Sequence, residues 1–374
     1  LGAARAKMTR SRASEAGSRV RKFWSGELVV ARIFRETPDV KTFRLALPGG
    51  GPLPFEHVAG QYLNVALTID GMRVNRSYTI ASSPARAAHC EITVKRVAGG
   101  HASQHLHDAW REGSVVRVSA PAGKFVFGGH DALRAVLVAG GVGITPMMSV
   151  VRSLTDRSWA GDIYLMFSVK GRRDFVFEDE LAYLQRRFPH LHVCVTLSDD
   201  PDSAWDGARG RISRELVETF VPDLNRGPVL LCGPAPMMVA MRAMLVGMGV
   251  PDAEVLEEAF LSPPPSGAAA ADDAAAAAPT IDPEPGRDAP TVRFQRAGRT
   301  AELASDITVL EAAEEAGISI PFECRSGICG QCKTKLVSGH VTMDVQDALT
   351  PGDRTKGLIL ACQARALHHV VVDA

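Results

Sequence analysis

The sequence predicts a multidomain protein: an antiparallel β-barrel, then an α/β domain on a parallel sheet, then a small α+β domain. Three observations predict it. Short runs alternating apolar and polar positions fill residues 25–130, continuous apolar runs alternating with helical patterns fill 131–261, and a Pro/Ala-rich stretch, 262–290, sets off a last segment, 291–374. At 374 residues the chain is too long for one core and suits two or three domains.

Bulk composition narrows the function. Hydrophobic residues make up 46% and charged residues 22%, with 42 Lys+Arg against 42 Asp+Glu. That balance gives no electrostatic footprint for a nucleic-acid partner. No run approaches the ~18 consecutive apolar residues that a membrane-spanning helix needs. Residues 1–24 are basic and lack the apolar centre of a secretion signal, so they read as a solvated, disordered leader. Seven cysteines, an odd number clustered by spacing, favour a metal site in a reducing compartment over a disulfide framework, and hence a cytoplasmic protein.

In the first domain the runs "ELVVARIF", "KTFRLAL", "YLNVALTI", "EITVKRV" and "SVVRVSA", punctuated by Gly and Pro, read as barrel strands. The stretch "NRSYTIASSP" places Arg76, Ser77, Tyr78 and Thr79 on one strand. Downstream, "VKRVAGGHASQHL" runs from Val94 and Lys95 through Gly99 and Gly100 to Ser103 at the start of a helix. A Gly-rich turn entering a helix is a phosphate site, because free N–H groups and the positive end of the macrodipole face the anion. His101, His105 and His107 read as solvent-exposed rather than as a ligand set.

In the second domain "LRAVLVAG", "DIYLMFSV", "LHVCVTL" and "PVLLCG" are buried parallel strands, with "TPMMSVVRSL" and "APMMVAMRAMLVGMG" as covering helices. The strand–turn–helix "LVAGGVGITPMMSV" offers Gly140, Gly141 and Gly143, followed by Thr145 and Pro146, for close approach of a pyrophosphate. Later, "LLCGPAPMM" puts Cys232, Gly233, Pro234 and Met237 at a strand end, and "LEEAF" adds Glu258 and Phe260. The strand "DIYLMFSV" ends without an acid for a ribose 2′-hydroxyl. Ser168, Lys170, Arg172 and Arg173 follow, as a 2′-phosphate site or as a solvated loop face.

The segment 262–290 carries seven prolines and a run of alanines. As a flexible coil it spans about 30 Å, so the last module is free to move. That module reads as a strand pair, a helix at "TVLEAAEEAG" and then the loop "PFECRSGICGQCKTKLVSG". Four residues separate Cys324 from Cys329, two separate Cys329 from Cys332, and 29 more precede Cys362. Thiolates are soft donors for iron and zinc. Zinc sites use paired C-x2-C knuckles, whereas this spacing is that of plant-type two-iron two-sulfur proteins.

On these motifs residues 25–374 resemble the ferredoxin reductase superfamily, in the form found in reductase components of multicomponent oxygenases, with a C-terminal plant-type (β-grasp) ferredoxin domain. The resemblance implies that Cys324, Cys329, Cys332 and Cys362 hold a 2Fe-2S cluster, with Gly327 and Gly330 letting backbone N–H groups near the sulfurs. It implies that Arg76 pairs with flavin phosphate, Tyr78 lies against the isoalloxazine, Thr79 approaches its N5, and the Gly99–Ser103 turn holds a pyrophosphate. FAD is therefore preferred to FMN. It further implies that Thr145 and Cys232 flank the nicotinamide, that Gly233 and Met237 contact the dinucleotide, and that Phe260 covers the flavin. The donor is NADH or NADPH, the resemblance favouring NADH. A nicotinamide gives two electrons as hydride and a cluster takes one, so a flavin must join them. The implied partner is a terminal oxygenase, Rieske-type by resemblance. A desaturase or hybrid-cluster acceptor and a slow redox-sensing module are the alternatives.

Overall fold

The computed structural model describes residues 24–374 other than 131, 201–203, 261–289, 304–306, 323, 324, 326, 328, 344, 347 and 367, and the side chains of 72 and 73 are likewise outside it. The expected leader and linker, except the last residue of each, and Cys324 thus lie outside the described residues.

The first domain runs β1 (Trp24–Thr37), β2 (Val40–Ala46), β3 (Tyr62–Ile69), β4 (Met72–Thr79), β5 (Cys90–Lys95), α1 (His101–Ala109) and β6 (Val115–Ala122). Its six strands pair antiparallel in the order β4-β3-β6-β1-β2-β5. A bridge from Ile80, just past β4, to Ile92 of β5 brings the two edges together into a barrel. Strand alternation sends Leu63, Val65 and Leu67 inward with Leu28, Phe43, Leu45 and Ile92, and α1 lays Ala102 and Leu106 on the same core. One residue departs from expectation. His107 is buried, its Nε2 lies 2.8 Å from the Val94 carbonyl, and its ring meets Phe43 edge-on, because the inward face of α1 needs a filler there.

The second domain comprises β7 (Arg134–Gly140), α2 (Ile144–Asp156), β8 (Asp162–Val169), α3 (Glu178–Arg187), β9 (Leu191–Leu197), β10 (Ala208–Arg209), α4 (Arg214–Phe220), β11 (Val229–Cys232), α5 (Ala235–Gly247) and β12 (Val255–Glu258). All six strands are parallel, in the order β10-β9-β8-β7-β11-β12. Leu137 and Ala139 of β7 face α2 and α3, whereas Val136 and Val138 face α4 and α5, so the central strand is apolar from Ala135 to Ala139. Strand order reverses around β7, and such a switch point opens a crevice at the carboxyl ends of the strands.

The third domain comprises β13 (Thr291–Phe294), β14 (Arg299–Glu302), α6 (Val309–Glu315), β15 (Lys333–Ser338), β16 (Val341–Thr342), α7 (Pro351–Thr355), β17 (Leu358–Leu360), β18 (Arg365–Ala366) and β19 (Val370–Val372). Its main sheet has the order β14-β13-β19-β15-β17, with only β13 and β19 parallel. Helix α6 buries Val309, Leu310, Ala312 and Ala313 on Val292, Phe294 and Leu360. A capping box starts it: the Thr308 hydroxyl accepts from Glu311 N–H at 3.3 Å, and Thr308 N–H donates to the Glu311 carboxylate at 2.8 Å.

Candidate active site

Barrel and nucleotide sheet are bolted together by a buried arginine. Arg152 of α2 reaches the carbonyl of Ala81 at 2.9 Å and the carboxylate of Glu91 on β5 at 3.2 Å. Its other edge forks onto Glu180 of α3, Nε lying 2.7 Å from the carboxylate, and its plane lies 4.8 Å from the Phe177 ring centre. Ser149 donates to the Ser82 carbonyl at 3.1 Å, and Arg86 meets Asp156 through two bonds of 2.9 and 3.0 Å. Along this seam β5 lies against the turn Gly141–Gly143.

On the barrel side, β4 pairs with β3 so that Tyr78 stands opposite Leu63 and Arg76 opposite Val65. Residues two apart share a face, so Arg76 and Tyr78 point together. Burial lowers the guanidinium's pKa and raises the Tyr78 phenol's to about 12, keeping the phenol neutral. Ser77 donates to the Asn64 side chain at 2.8 Å, and Thr79 is buried. At the Gly99–Ser103 turn Gly99 has φ +73°, a left-handed conformation that favours glycine. The Ser103 hydroxyl accepts from Val97 N–H and donates to the Gly100 carbonyl, both at 3.1 Å, so it closes the turn. No side chain caps the N-terminus of α1. Val94 is buried, and the Lys95 ammonium lies 2.9 Å from Asp39 and 3.8 Å from Asp174, across the seam.

The nucleotide cradle forms where β7 and β11 end side by side, with Cys232 opposite Ala139 on one side and Glu258 on the other. A Cβ on Gly143 would fall 2.2 Å from the Cys232 carbonyl oxygen, and one on Gly140 would fall 2.4 Å from the Met237 sulfur. Gly233 sits against the same sulfur and the Gly140 backbone. These glycines make a floor of bare backbone. The Cys232 side chain is wholly buried, and burial, then Glu258, holds its thiol well above the ordinary value. The Thr145 hydroxyl donates to the Val142 carbonyl at 3.0 Å, Pro146 is buried in α2, and Pro234 is exposed. Phe260, two residues past β12, is 44% exposed. At the end of β8 Ser168 is half-buried; beyond it Arg173 is exposed, while Arg172 is paired to Glu178 at 3.1 Å.

In the third domain the pairing of Lys333 with Leu360 sets the residues flanking the two strands opposite each other. Ala361 N–H donates to the Cys332 carbonyl at 3.0 Å, and the Cys332 and Cys362 sulfurs approach to 3.2 Å, both buried. Cys329 is half-buried on the loop. Among the described residues no three His, Cys, Asp or Glu side chains converge on one point. Gly327 and Gly330 have φ +82° and +72°. A Cβ on Gly327 would fall 2.9 Å from the Val345 carbonyl oxygen. Arg325 pairs with Glu314, stacks 4.0 Å over Phe322, and has its carbonyl held by Gln363 at 2.9 Å, which pins the loop beside Cys362. Two converging buried thiols beside left-handed glycines fit an iron–sulfur ligand set.

The seam through Arg152, Glu91 and Glu180 is the functional geometry that the sequence motifs do not reveal. Its one signal is a charge inside an otherwise apolar helix, "SVVRSL".

A barrel with a glycine turn at a helix start, a parallel sheet with a glycine-floored crevice locked to it and a cysteine loop on a β-grasp sheet fit an NAD(P)H-dependent iron–sulfur flavoprotein oxidoreductase. Family models agree: an oxidoreductase FAD-binding domain matches residues 27–127, an oxidoreductase NAD-binding domain 137–243, and a 2Fe-2S iron-sulfur cluster binding domain 292–367. The glycine betaine monooxygenase reductase subunit of Chromohalobacter salexigens is 33% identical over 91% of this chain and 93% of its own. The stachydrine N-demethylase reductase subunit of Rhizobium meliloti is 30% identical over 94% and 98%. Among solved structures, phthalate dioxygenase reductase aligns with a TM-score of 0.57 and 28% identity over 94% of this chain and 98% of that one. The chain belongs to the ferredoxin reductase superfamily, among the reductase components of oxygenase systems. Its cofactors are FAD and a 2Fe-2S cluster, and its donor is NAD(P)H.

Proposed function

We propose that this protein is a cytoplasmic reductase that takes electrons from NADH and delivers them singly to a Rieske-type oxygenase acting on a quaternary ammonium compound. The observation that carries the electron path is the order of modules, a flavin barrel locked to a nucleotide sheet and followed by a four-cysteine ferredoxin domain. The names of the betaine and stachydrine relatives support the acceptor's class. No helix among the described residues is long and apolar enough to cross a membrane.

When bound, FAD would supply the chemistry that joins a two-electron hydride donor to a one-electron cluster. The chain's part is placement. Arg76 and the start of α1 offer positive charge and N–H groups to the flavin phosphates, while Tyr78 presents a neutral ring. Thr79 supplies a buried hydroxyl. Gly140, Gly143 and Gly233 let the dinucleotide backbone come close, and the small, protonated Cys232 side chain leaves room for two stacked rings while excluding water. Phe260, 44% exposed past the end of β12, would cover the flavin face. Cys324, Cys329, Cys332 and Cys362 would hold the iron.

A Cys332→Ser variant tests the order of transfer. NADH-driven cytochrome c reduction falls at least tenfold, while ferricyanide, which draws on the flavin directly, is still reduced and FAD content is unchanged. Equal loss of both activities rejects the sequential path. Crosslinking the reduced protein under argon in its source lysate, followed by mass spectrometry, tests the acceptor: a Rieske oxygenase supports the reading, and a desaturase or hybrid-cluster protein replaces it.

A further inference from the structure

We infer that the outer face of the barrel is the seat of the cluster domain, and that Asn64, through one water held between the two, donates toward Cys362 and raises the cluster's hold on an electron while they are docked; this rests on the electron path proposed above. Asn64 points outward, because its neighbours Leu63 and Val65 turn into the barrel core. Its cross-strand partners share that face: Ser77 on β4 and Ser119 on β6, with Ala66 opposite Asn75 and Arg117, and Ser119 opposite Ser25 of β1. An outward polar residue ordinarily meets solvent, yet Asn64 and Ser119 are each 6% exposed.

The cover is the cluster domain. A cavity of about 20 Å³ lies between the two, lined on the barrel side by Asn64, Asn75 and Ser119 and across from them by Glu311, Arg325 and Cys362. The far wall is one unit, since the Val309 and Leu310 N–H groups donate to the Ala364 and Ala361 carbonyls at 2.8 and 2.9 Å and so tie the start of α6 to the segment carrying Cys362. Its charges are already engaged: Glu311 accepts from Thr308 N–H, and Arg325 pairs with Glu314. Asn64 has capacity to spare. Its oxygen accepts from the Ser77 hydroxyl at 2.8 Å, while its amide nitrogen is buried and meets no hydrogen-bond partner among the described residues. A buried donor left unmet is costly, and a polar cavity of this size admits roughly one water. Such a water, accepting from Asn64, turns its own proton toward Cys362. Donors directed at ligand sulfurs favour the reduced cluster, whose charge is more negative, and they act more strongly away from bulk solvent. Ser77 stands between Arg76 and Tyr78, so the seat adjoins the strand that presents those two residues to the flavin.

Redox titration of the full chain carrying FAD and cluster tests this, the cluster read by the paramagnetic resonance of its reduced form and the flavin by its visible absorbance. Asn64→Leu removes the donor at similar size. It is expected to lower the cluster's midpoint potential, moving the one-electron balance at least threefold toward the flavin, about 28 mV, with flavin potential and iron content unchanged. Asn64→Ala serves if that variant folds poorly. Asn64→Ser, which still holds a water, recovers at least half of the shift. Asn75→Trp, a wedge in the contact, lowers the potential as Asn64→Leu does, and the two together go no further. An unchanged cluster potential in either single variant, an equal shift in the flavin, or additive shifts in the double variant overturns the role of Asn64. A wild type in which NADH reduces the flavin and never the cluster overturns the electron path itself.

Discussion

Arg152 and Glu91 are ion-paired across the seam between barrel and nucleotide sheet, 3.2 Å apart with each side chain 5% exposed. They come from segments 61 residues apart, and Glu91 is held in turn by Arg44 at 2.8 Å. A charge buried this deeply is tolerable only while every partner is present.

Removing the cation should therefore separate the domains. Arg152→Met takes from Glu91 and Glu180 the cation they share, leaving Glu91 only Arg44, and a loss of about 3–5 kcal/mol is expected. In calorimetry the single transition of barrel and nucleotide domain splits in two, and Arg152→Met with Glu91→Gln recovers part of the loss. A variant that still melts as one unit within about 1 kcal/mol of wild type contradicts the bolt.

Two neighbouring glycines should respond differently to alanine. At Gly143 the new methyl meets the Cys232 carbonyl, backbone that cannot swing away, so β7 and β11 must part. A loss of about 2 kcal/mol and at least a tenfold rise in KM for NADH are expected. At Gly141, with φ +53° and nothing within 4 Å, alanine meets only backbone strain of about 1 kcal/mol. Urea titrations of the two variants, set beside their KM values, check the contrast.

The barrel should lose stability in mild acid. Burial pushes the His57 imidazole down to about 4 from its ordinary 6.5, and its Nε2 has no hydrogen-bond partner. The folded protein thus refuses a proton that the unfolded chain accepts. Its contribution is whole above pH 6.5 and is lost as the pH falls toward 4, at up to about 1.4 kcal/mol per pH unit. His57→Gln flattens the slope of unfolding free energy against pH in that window. Burial shifts His89 and His107 the same way, so some slope persists. Identical slopes for variant and wild type contradict the assignment.

Much of this was legible in the order of residues, for reasons that differ by domain. The barrel strands alternate because one face is buried, and β7 is apolar from Ala135 to Ala139 because both faces are. The cluster loop could be read from spacing, since few chemistries use three thiols so close together. What escaped were contacts between distant segments. Nothing in the helical pattern around Arg152 pointed to Glu91, and His107 looked like a surface residue when α1 turns it inward. Period and motif locate a residue along its own element, but not which remote side chain will lie opposite it.

The glycine floor of the nucleotide cradle has a consequence for how such a reductase diversifies. Where a site is shaped by missing side chains, there is no group for mutation to exchange, only atoms to add, and each addition at Gly140 or Gly143 strikes a neighbour. Variation is driven outward to the loops after β8 and β9, where Arg173 and Asp199 meet solvent. A lineage built on this frame is free to change which coenzyme it draws on while the part of the molecule that handles electrons is inherited unaltered.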